Sequence, residues 1–455
     1  MNRPITFACL AFGSTLLTWS ARAQDMRNVL EPTIPAACAT LVAQLSSSES
    51  TLAEADESRP DTERIQQAID HCARGQSVRL QTNGALNAFL SGPLQLRMGV
   101  TLLVDKRTIL FGSRDPRDYD VSPGACGILD HNGHGCKALI NGDHADDAAV
   151  MGDGTIDGRG WAKMLGQGRS WWDIAQEAKV AGSDQNCPRL IILTHSDNFT
   201  LYRVTLKNAA NFHVYFSNGN GFTAWGVTIN TPKSARNTDG IDPSSATNVT
   251  IAHCFIHTGD DNVAIKAGPS GPSSHMTIAH NHFYTGHGMS IGSETQGGVS
   301  AIRVKDLSID GADNGLRIKS NAERGGLVQD VAYEDVCIRD TKNAVLMDSH
   351  YPFSGRGRDM LPTFRNIVLQ DVRVLGPSKI TLEGYDAGHR LGITLNNVVL
   401  DAAAAAKVLA MHALVVLGPG PVNFWPSGED VQVAGSPGKT RPNSCEGKFV
   451  PLSGK

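Results

Sequence analysis

Residues able to do chemistry gather in four short stretches: Asn237-Thr238-Asp239-Gly240-Ile241-Asp242, Gly259-Asp260-Asp261-Asn262, Gly286-His287-Gly288 and Arg317-Ile318-Lys319. Asp239, Asp260, Asp261 and His287 are the side chains of an acid–base device. Carboxylates brought together raise one another's pKa, so one can stay protonated as an acid while another works as a base. On a strand, Arg317 and Lys319 project to one face while Leu316 and Ile318 point to the other. Such a cationic ledge suits a ligand that carries its own carboxylate. Taken singly, each feature has a plain reading: an Asp-Asp turn is a solvated loop, an Arg-x-Lys strand a solvated face, a His between glycines a structural residue. The spacing of all four needs another account.

That spacing comes from a repeat. Nine-residue segments of similar chemistry start at Asn198, Gly221, Asn248, His275, Ala301, Asp330, Asn366 and Gly392, all but one step being 23 to 29 residues. The second position reads Phe199, Phe222, Val249, Met276, Ile302, Val331, Ile367 and Ile393, and the fourth and ninth are equally apolar. Alternation with β-branched residues predicts strands. The period is too short for a βαβ unit of roughly 30 or more residues and for a propeller blade of about 40. It suits one turn of a solenoid whose rungs stack their apolar columns. A second strand family starts at Asn262, Gly288, Gly315 and Ala344, spaced 26, 27 and 29 apart, and so defines another face of the same coil. The fold class is all-β, a parallel β-helix.

Aligning the second family puts Asp261 and His287 in one register, with Asp239 joining them if Gly240 to Ser245 is the preceding member. Neighbouring rungs lie about 4.8 Å apart, so these groups cluster. The ledge of Arg317 and Lys319 is expected one rung beyond the aspartates. Asp260 and Asp261 cannot share a site in a regular strand, and Gly259 before them points to a corner where alternation lapses. Lys266 shares the column of Lys319 two rungs away and reads as structural or peripheral. The sequons at Asn198 and Asn248 recur as part of the strand repeat and read as structural.

The chain has 455 residues with net charge −4, which offers no support for nucleic-acid or membrane-surface binding. Residues 1–23 read as a signal peptide: Arg3, an apolar run from Ile5 to Trp19, then Ala21-Arg22-Ala23. The run is too short and too broken to span a bilayer. Of nine cysteines, Cys9 belongs to this leader, and the remaining even set fits an oxidising compartment. Cys38 with Cys72 and Cys126 with Cys136 are the best local pairs. Cys254, in an apolar column, has a buried free thiol as its alternative. No CxxC pair occurs, so no metal site is expected. Thr62 to Arg74 is predicted as an N-terminal capping helix, with Ile65, Ala68, Ile69 and Cys72 on one face, Asp61 as N-cap and Gly75 after the last turn. Ser46 to Ser58 reads as a polar loop. The catalytic β-helix is placed at 24–410, with an irregular Pro/Gly-rich tail at 411–455.

The motifs NTDGID, GDDNVAIK, GHGMSIGS and RIKS, in this order, resemble those of the polygalacturonases, a family of glycoside hydrolases. The likeness extends to IDGRG at Ile156, SWW at Ser170 and FLSGPL at Phe89, spanning roughly residues 30 to 400, and is strongest toward bacterial endo-acting members. It implies a right-handed, single-stranded parallel β-helix. It further implies hydrolysis, with inversion, of α-1,4 bonds between galacturonate residues of de-esterified pectin by a secreted monomer without cofactor or metal. On this likeness Asp260 is the general acid, and Asp239 and Asp261 hold and activate the water. His287 sets the acid's protonation, while Arg317 and Lys319 bind the substrate carboxylate. Asn237 supports the water or a sugar hydroxyl, Tyr351 contacts substrate, and the segment after it shapes the cleft rim. Competing readings are an exo-acting polygalacturonase, a rhamnogalacturonan hydrolase, a calcium-dependent pectate lyase, and a non-catalytic β-helix adhesin.

Overall fold

The structure, a computed structural model, describes residues 24–48, 51–130, 133–352, 360–440 and 442–452. The leader at 1–23 and the rim segment at 353–359 lie outside the described residues. The chain winds as a parallel β-helix. One sheet holds eleven strands in strict chain order, from Leu94–Gln95 to Lys407–Met411, each turn of the coil adding one. A second, twenty-stranded sheet collects the nine-residue segments. All strands in both sheets pair in parallel where the coil repeats, as in Phe222↔Val249, Val249↔Met276 and Met276↔Ile302. Such crossovers between parallel neighbours are right-handed in L-residue chains.

The apolar columns fill the interior: Phe199, Phe222, Val249, Met276 and Ile302 are all fully buried, as are Leu206, Ile229, Ile256, Phe283 and Ile309. The nine-residue unit is not one straight strand. Its sixth residue has positive φ on rung after rung, at Arg203 (63°), Gly226 (64°), His253 (57°), His280 (58°), Asp306 (51°) and Asp335 (53°). A residue in the left-handed region turns the chain by a corner. This slips the alternation by one, so the seventh residue points inward as well: Val204, Val227, Cys254 and Asn281 are buried. Early rungs therefore show two short strands, such as Thr247–Ala252 and Phe255–His257. Later rungs carry them as one, such as Leu327–Arg339.

Helix α1 (Thr62–His71) closes the N-terminal end with Ile65 and Ile69 buried. It stops before the predicted Arg74 because Cys72, its extended C-cap residue, is bonded to Cys38. Asp61 stands at the N-cap position without capping; its carboxylate instead accepts from the Leu90 N–H and from the Arg64 guanidinium. Ser46 to Ser58 is not a plain loop: Ser47–Ser48 pairs antiparallel with Thr51–Leu52, and a short 3-10 helix follows at Glu54–Ser58. Glu57 from it is bound to Arg159, an ion pair in which both side chains are 6% exposed. Helix α2 (Trp171–Ala181), with a Ser170/Asp173 capping box and left-handed Gly182 at its end, packs Trp171 and Ile174 into the core. At the C-terminal end, coil continues past residue 410. Ala413–Leu417 and Val431–Gly435 add two further parallel strands, and the segment after them is tied back by Cys337–Cys445. Cys126–Cys136 forms as expected, while Cys187 and Cys254 are buried free thiols.

Candidate active site

Five strands of the eleven-stranded sheet carry the site: β1 (Val214–Ser217), β2 (Ile241–Ser244), β3 (Val263–Ile265), β4 (Met289–Ile291) and β5 (Asn314–Lys319). Their register runs Val214↔Ile241↔Val263↔Met289↔Leu316. Two residues ahead of it stand Phe212, Asp239, Asp261, His287 and Asn314, so the column expected for the acids and the imidazole exists. Apolar Ile241, Val263, Met289 and Leu316 anchor each rung from inside, all fully buried.

Asp260 lies in the bend after Gly259, outside any strand. A Cβ on Gly259 would sit 2.0 Å from the Ala235 carbonyl oxygen, so only glycine permits this close approach. The bend frees Asp260 from strand alternation and turns it to the cleft. Its side chain is 19% exposed, against 4% for Asp239 and 1% for Asp261. His287 Nδ1 donates to Asp260 Oδ1 at 3.0 Å, and the Asp261 N–H donates to the same oxygen at 2.9 Å. Burial pushes Asp260 upward, but the His287 hydrogen bond and charge, with Lys319 behind, outweigh it and hold the carboxyl well below its usual range. His287 is raised in turn, burial being outweighed by its bond to Asp260. Against the mutual repulsion of the aspartates, the His287 bond and charge thus favour an ionised Asp260 beside a protonated His287 in the free site.

Asp261 is gripped from beyond. Lys319 Nζ donates to Oδ2 at 2.8 Å, while Ser290 Oγ at 2.7 Å and Arg317 at 3.3 Å donate to Oδ1. Its pKa is lowered because the Lys319 and Arg317 charges outweigh burial. The ledge is two rungs beyond the aspartates rather than one, since the His287 rung intervenes. Small residues there, Ser290 and Gly292, leave space for the long cationic side chains to reach across. Tyr351 covers them, its ring centroid 5.4 Å from the Arg317 guanidinium carbon and 5.3 Å from Lys319 Nζ.

Two residues that motif reading undervalued complete the cluster. Asp242 is fully buried and its pKa is pushed up to about 6 by burial. Lys266 Nζ sits 3.0 Å from Asp242 Oδ2 and 3.8 Å from Asp239 Oδ2, over the Phe212 ring at 4.6 Å. Lys266 is therefore the counter-charge of two buried acids. Asp242 stands inside NTDGID, and its outward parity on β2 was the available signal. Asp239 is raised well above the carboxylate range by burial, then by Asp242 and Asp260. Its backbone is fixed by His213, whose N–H and Nδ1 both approach the Asp239 carbonyl, and whose Nε2 contacts Thr231 Oγ1 at 2.8 Å. Burial lowers His213 to about 4, so the ring is neutral.

Asn237 occupies the turn into β2 with φ 55° and is half-buried, and its side chain is not hydrogen-bonded to the acids among the described residues. Ligand atoms of Asp260, Asp261 and His287 lie within 4.8 Å of one another, a spacing open to a cation. Lys319, Arg317 and a protonated His287 already supply positive charge there, which opposes metal binding. The arrangement holds one mobile proton at the cleft surface, one ionised carboxylate beneath it and a cationic wall.

The model of glycosyl hydrolases family 28 matches residues 109–413. An endo-polygalacturonase of Pectobacterium carotovorum subsp. carotovorum is 43% identical over 86% of this chain and 94% of that protein. A polygalacturonase of Ralstonia nicotianae is 40% identical over 93% of this chain and 92% of that one. Among solved structures, the polygalacturonase from Erwinia carotovora ssp. carotovora superposes with a TM-score of 0.75 at 38% identity, covering 92% of this chain and 99% of that chain. With the coil, the cleft column and these matches together, the chain belongs to glycosyl hydrolase family 28.

Proposed function

We propose that the chain is an inverting endo-polygalacturonase that cleaves α-1,4 bonds between galacturonate residues of de-esterified pectin. The observation that carries this is the Asp260–His287 pair at the cleft surface, set beside Asp261 between Lys319 and Arg317. A galacturonate brings a carboxylate that a guanidinium and an ammonium recognise. Arg317 has its Nε buried without a partner, leaving a donor for that carboxylate. Substrate entry excludes water and adds negative charge, and both favour protonated carboxyls. The His287 proton then moves along the 3.0 Å bond to Asp260, which delivers it to the glycosidic oxygen. Of the two acids assigned to the water, Asp261 is the one held ionised and takes the proton. Asp239, kept neutral, orients the water. An inverting pair usually stands about 6.5–9.5 Å apart to seat that water. Ligand oxygens of Asp260 and Asp261 lie within 4.8 Å of one another in the free site, so inversion rests on the match to family 28, where it is general.

Three disulfides among the described residues and the leader-like start support secretion. The catalytic unit on this reading is the entire coil, through Val431–Gly435.

Digestion of polygalacturonate by wild type and Asp260→Asn, with and without chelator, tests the proposal. Reducing ends should appear as mixed oligomers, insensitive to chelator, and the variant should lose roughly 10³-fold or more in kcat. Release of only mono- or digalacturonate would mean exo action. Chelator-sensitive, ultraviolet-absorbing products would mean elimination instead of hydrolysis.

A further inference from the structure

The cation-rich wall formed by Arg317 and Lys319 lies on one side of the acids, and the opposite side carries an arginine with no assigned task. The strand Ile191–Thr194 precedes β1 in the sheet, with Ile191 paired to Val214. Arg189 therefore stands in the column of Phe212 and Asp239, two rungs before Asp239, or about 10 Å along the cleft. Its guanidinium carbon lies 4.9 Å from the ring centroids of both Phe212 and Tyr215. Its Nε is buried without a hydrogen-bond partner, and the guanidinium makes no ion pair among the described residues. The half-exposed faces of Phe212 and Tyr215, with Arg189 and Lys266, line an open groove of about 290 Å³.

Arginine stacked on aromatic faces keeps its planar fork of donors in a fixed plane, the geometry that takes a carboxylate bidentately. Lys266 in the same groove is consumed by Asp242 and Asp239, so Arg189 is the cation left to a ligand. The ring faces beside it offer apolar surface to the C–H face of a sugar. We infer that Arg189, held on Phe212 and Tyr215, is a distal subsite that binds the carboxylate of a galacturonate residue on the far side of the acids from Arg317 and Lys319. This rests on the polygalacturonase reading and extends it. A polyanionic chain is gripped by cations at both ends of the acid cluster, so a longer substrate is held better than a short one.

The test compares wild type, Arg189→Gln and Arg189→Lys on polygalacturonate and on trigalacturonate. One charge-assisted contact at a partly open groove is worth about tenfold. The polymer-to-trimer ratio of kcat/KM should accordingly fall about tenfold in R189Q, through KM, and be partly restored in R189K. The pH profile should keep its shape. An equal loss on both substrates, or a shifted pH profile with a lowered thermal midpoint, would overturn the subsite and make Arg189 a counter-charge of Asp239 and Asp242. A wild type that releases no reducing ends from either substrate would fail the underlying reading itself, whatever the variants do.

Discussion

Replacing His287 by glutamine separates a proton reservoir from a structural imidazole. In the wild type, the proton needed by Asp260 is stored on His287 across a 3.0 Å bond. His287 is raised above its ordinary value, so activity should persist to pH above about 6.5 and fall only as that proton is lost. A hydrogen bond to a charged group is worth about 1.5–3 kcal/mol. At about 1.36 kcal/mol per pKa unit, losing it releases Asp260 upward by roughly one to two units. The pair is partly open, with side chains 31% and 19% exposed, which favours the lower end of that range. Asp260 then titrates higher than in the wild type but still below the ordinary aspartate value, because Lys319 and the Asp261 N–H continue to lower it, and the proton store at higher pH is gone. The alkaline limb of the kcat–pH profile should therefore move down from the histidine range to the carboxylate range. The acid limb, set by Asp261 and depressed by Lys319 and Arg317, should stay in place. Below the new limb, where Asp260 protonates directly, kcat should recover to within about tenfold of wild type, because the general acid, worth about 10²–10⁴-fold, is still in place. The assay is reducing-sugar release under saturating substrate from pH 3 to 9. A loss uniform across pH, with the alkaline limb unmoved, would refute the shared-proton account.

Lys266→Met removes the counter-charge of Asp239 and Asp242, whose folded pKa values then rise further above the unfolded value. Stability linked to a raised acid is present below the unfolded pKa and is lost as pH rises, so the variant should match wild type near pH 4 and fall behind by about 3 kcal/mol at pH 7. Thermal unfolding at the two pH values checks this, and equal midpoint losses at both would count against it. Cys337→Ser opens a link spanning 108 residues. Chain entropy for a loop near that size gives a ceiling of about 4.7 kcal/mol, so a loss of about 2–4 kcal/mol and early proteolysis after residue 435 are expected. Gly259→Ala forces the bend away from the Ala235 carbonyl and displaces Asp260. We expect kcat to fall about 100-fold, as misplacement of about 1 Å at a reacting group does, with KM changed far less.

The coil and the register of its polar column were legible because apolar residues dictate both. Ile241, Val263, Met289 and Leu316 must face inward, and once they are aligned Asp239, Asp261 and His287 have one place to go. The corner inside the nine-residue unit was visible as Asn, His and Asp at its first and sixth positions, residues that tolerate positive φ. It was masked because the apolar second, fourth and ninth positions pass for a single strand. Helix α2 carried a capping box and a terminal glycine, but its apolar face, Trp171, Ile174, Ala175 and Ala178, is short and small. The protonation of Asp260 was out of reach for a different reason. Register places backbones to within a rung, whereas Lys266, Arg317 and Lys319 are long enough to reach over neighbouring rungs, and charge partners follow the side-chain ends. Lys319 shares a column with Lys266, yet one grips Asp261 and the other the Asp239–Asp242 pair. Which acid is held ionised and which neutral is decided by that choice, so the division between Asp261 and Asp239 follows from where two lysines end rather than from where three aspartates begin.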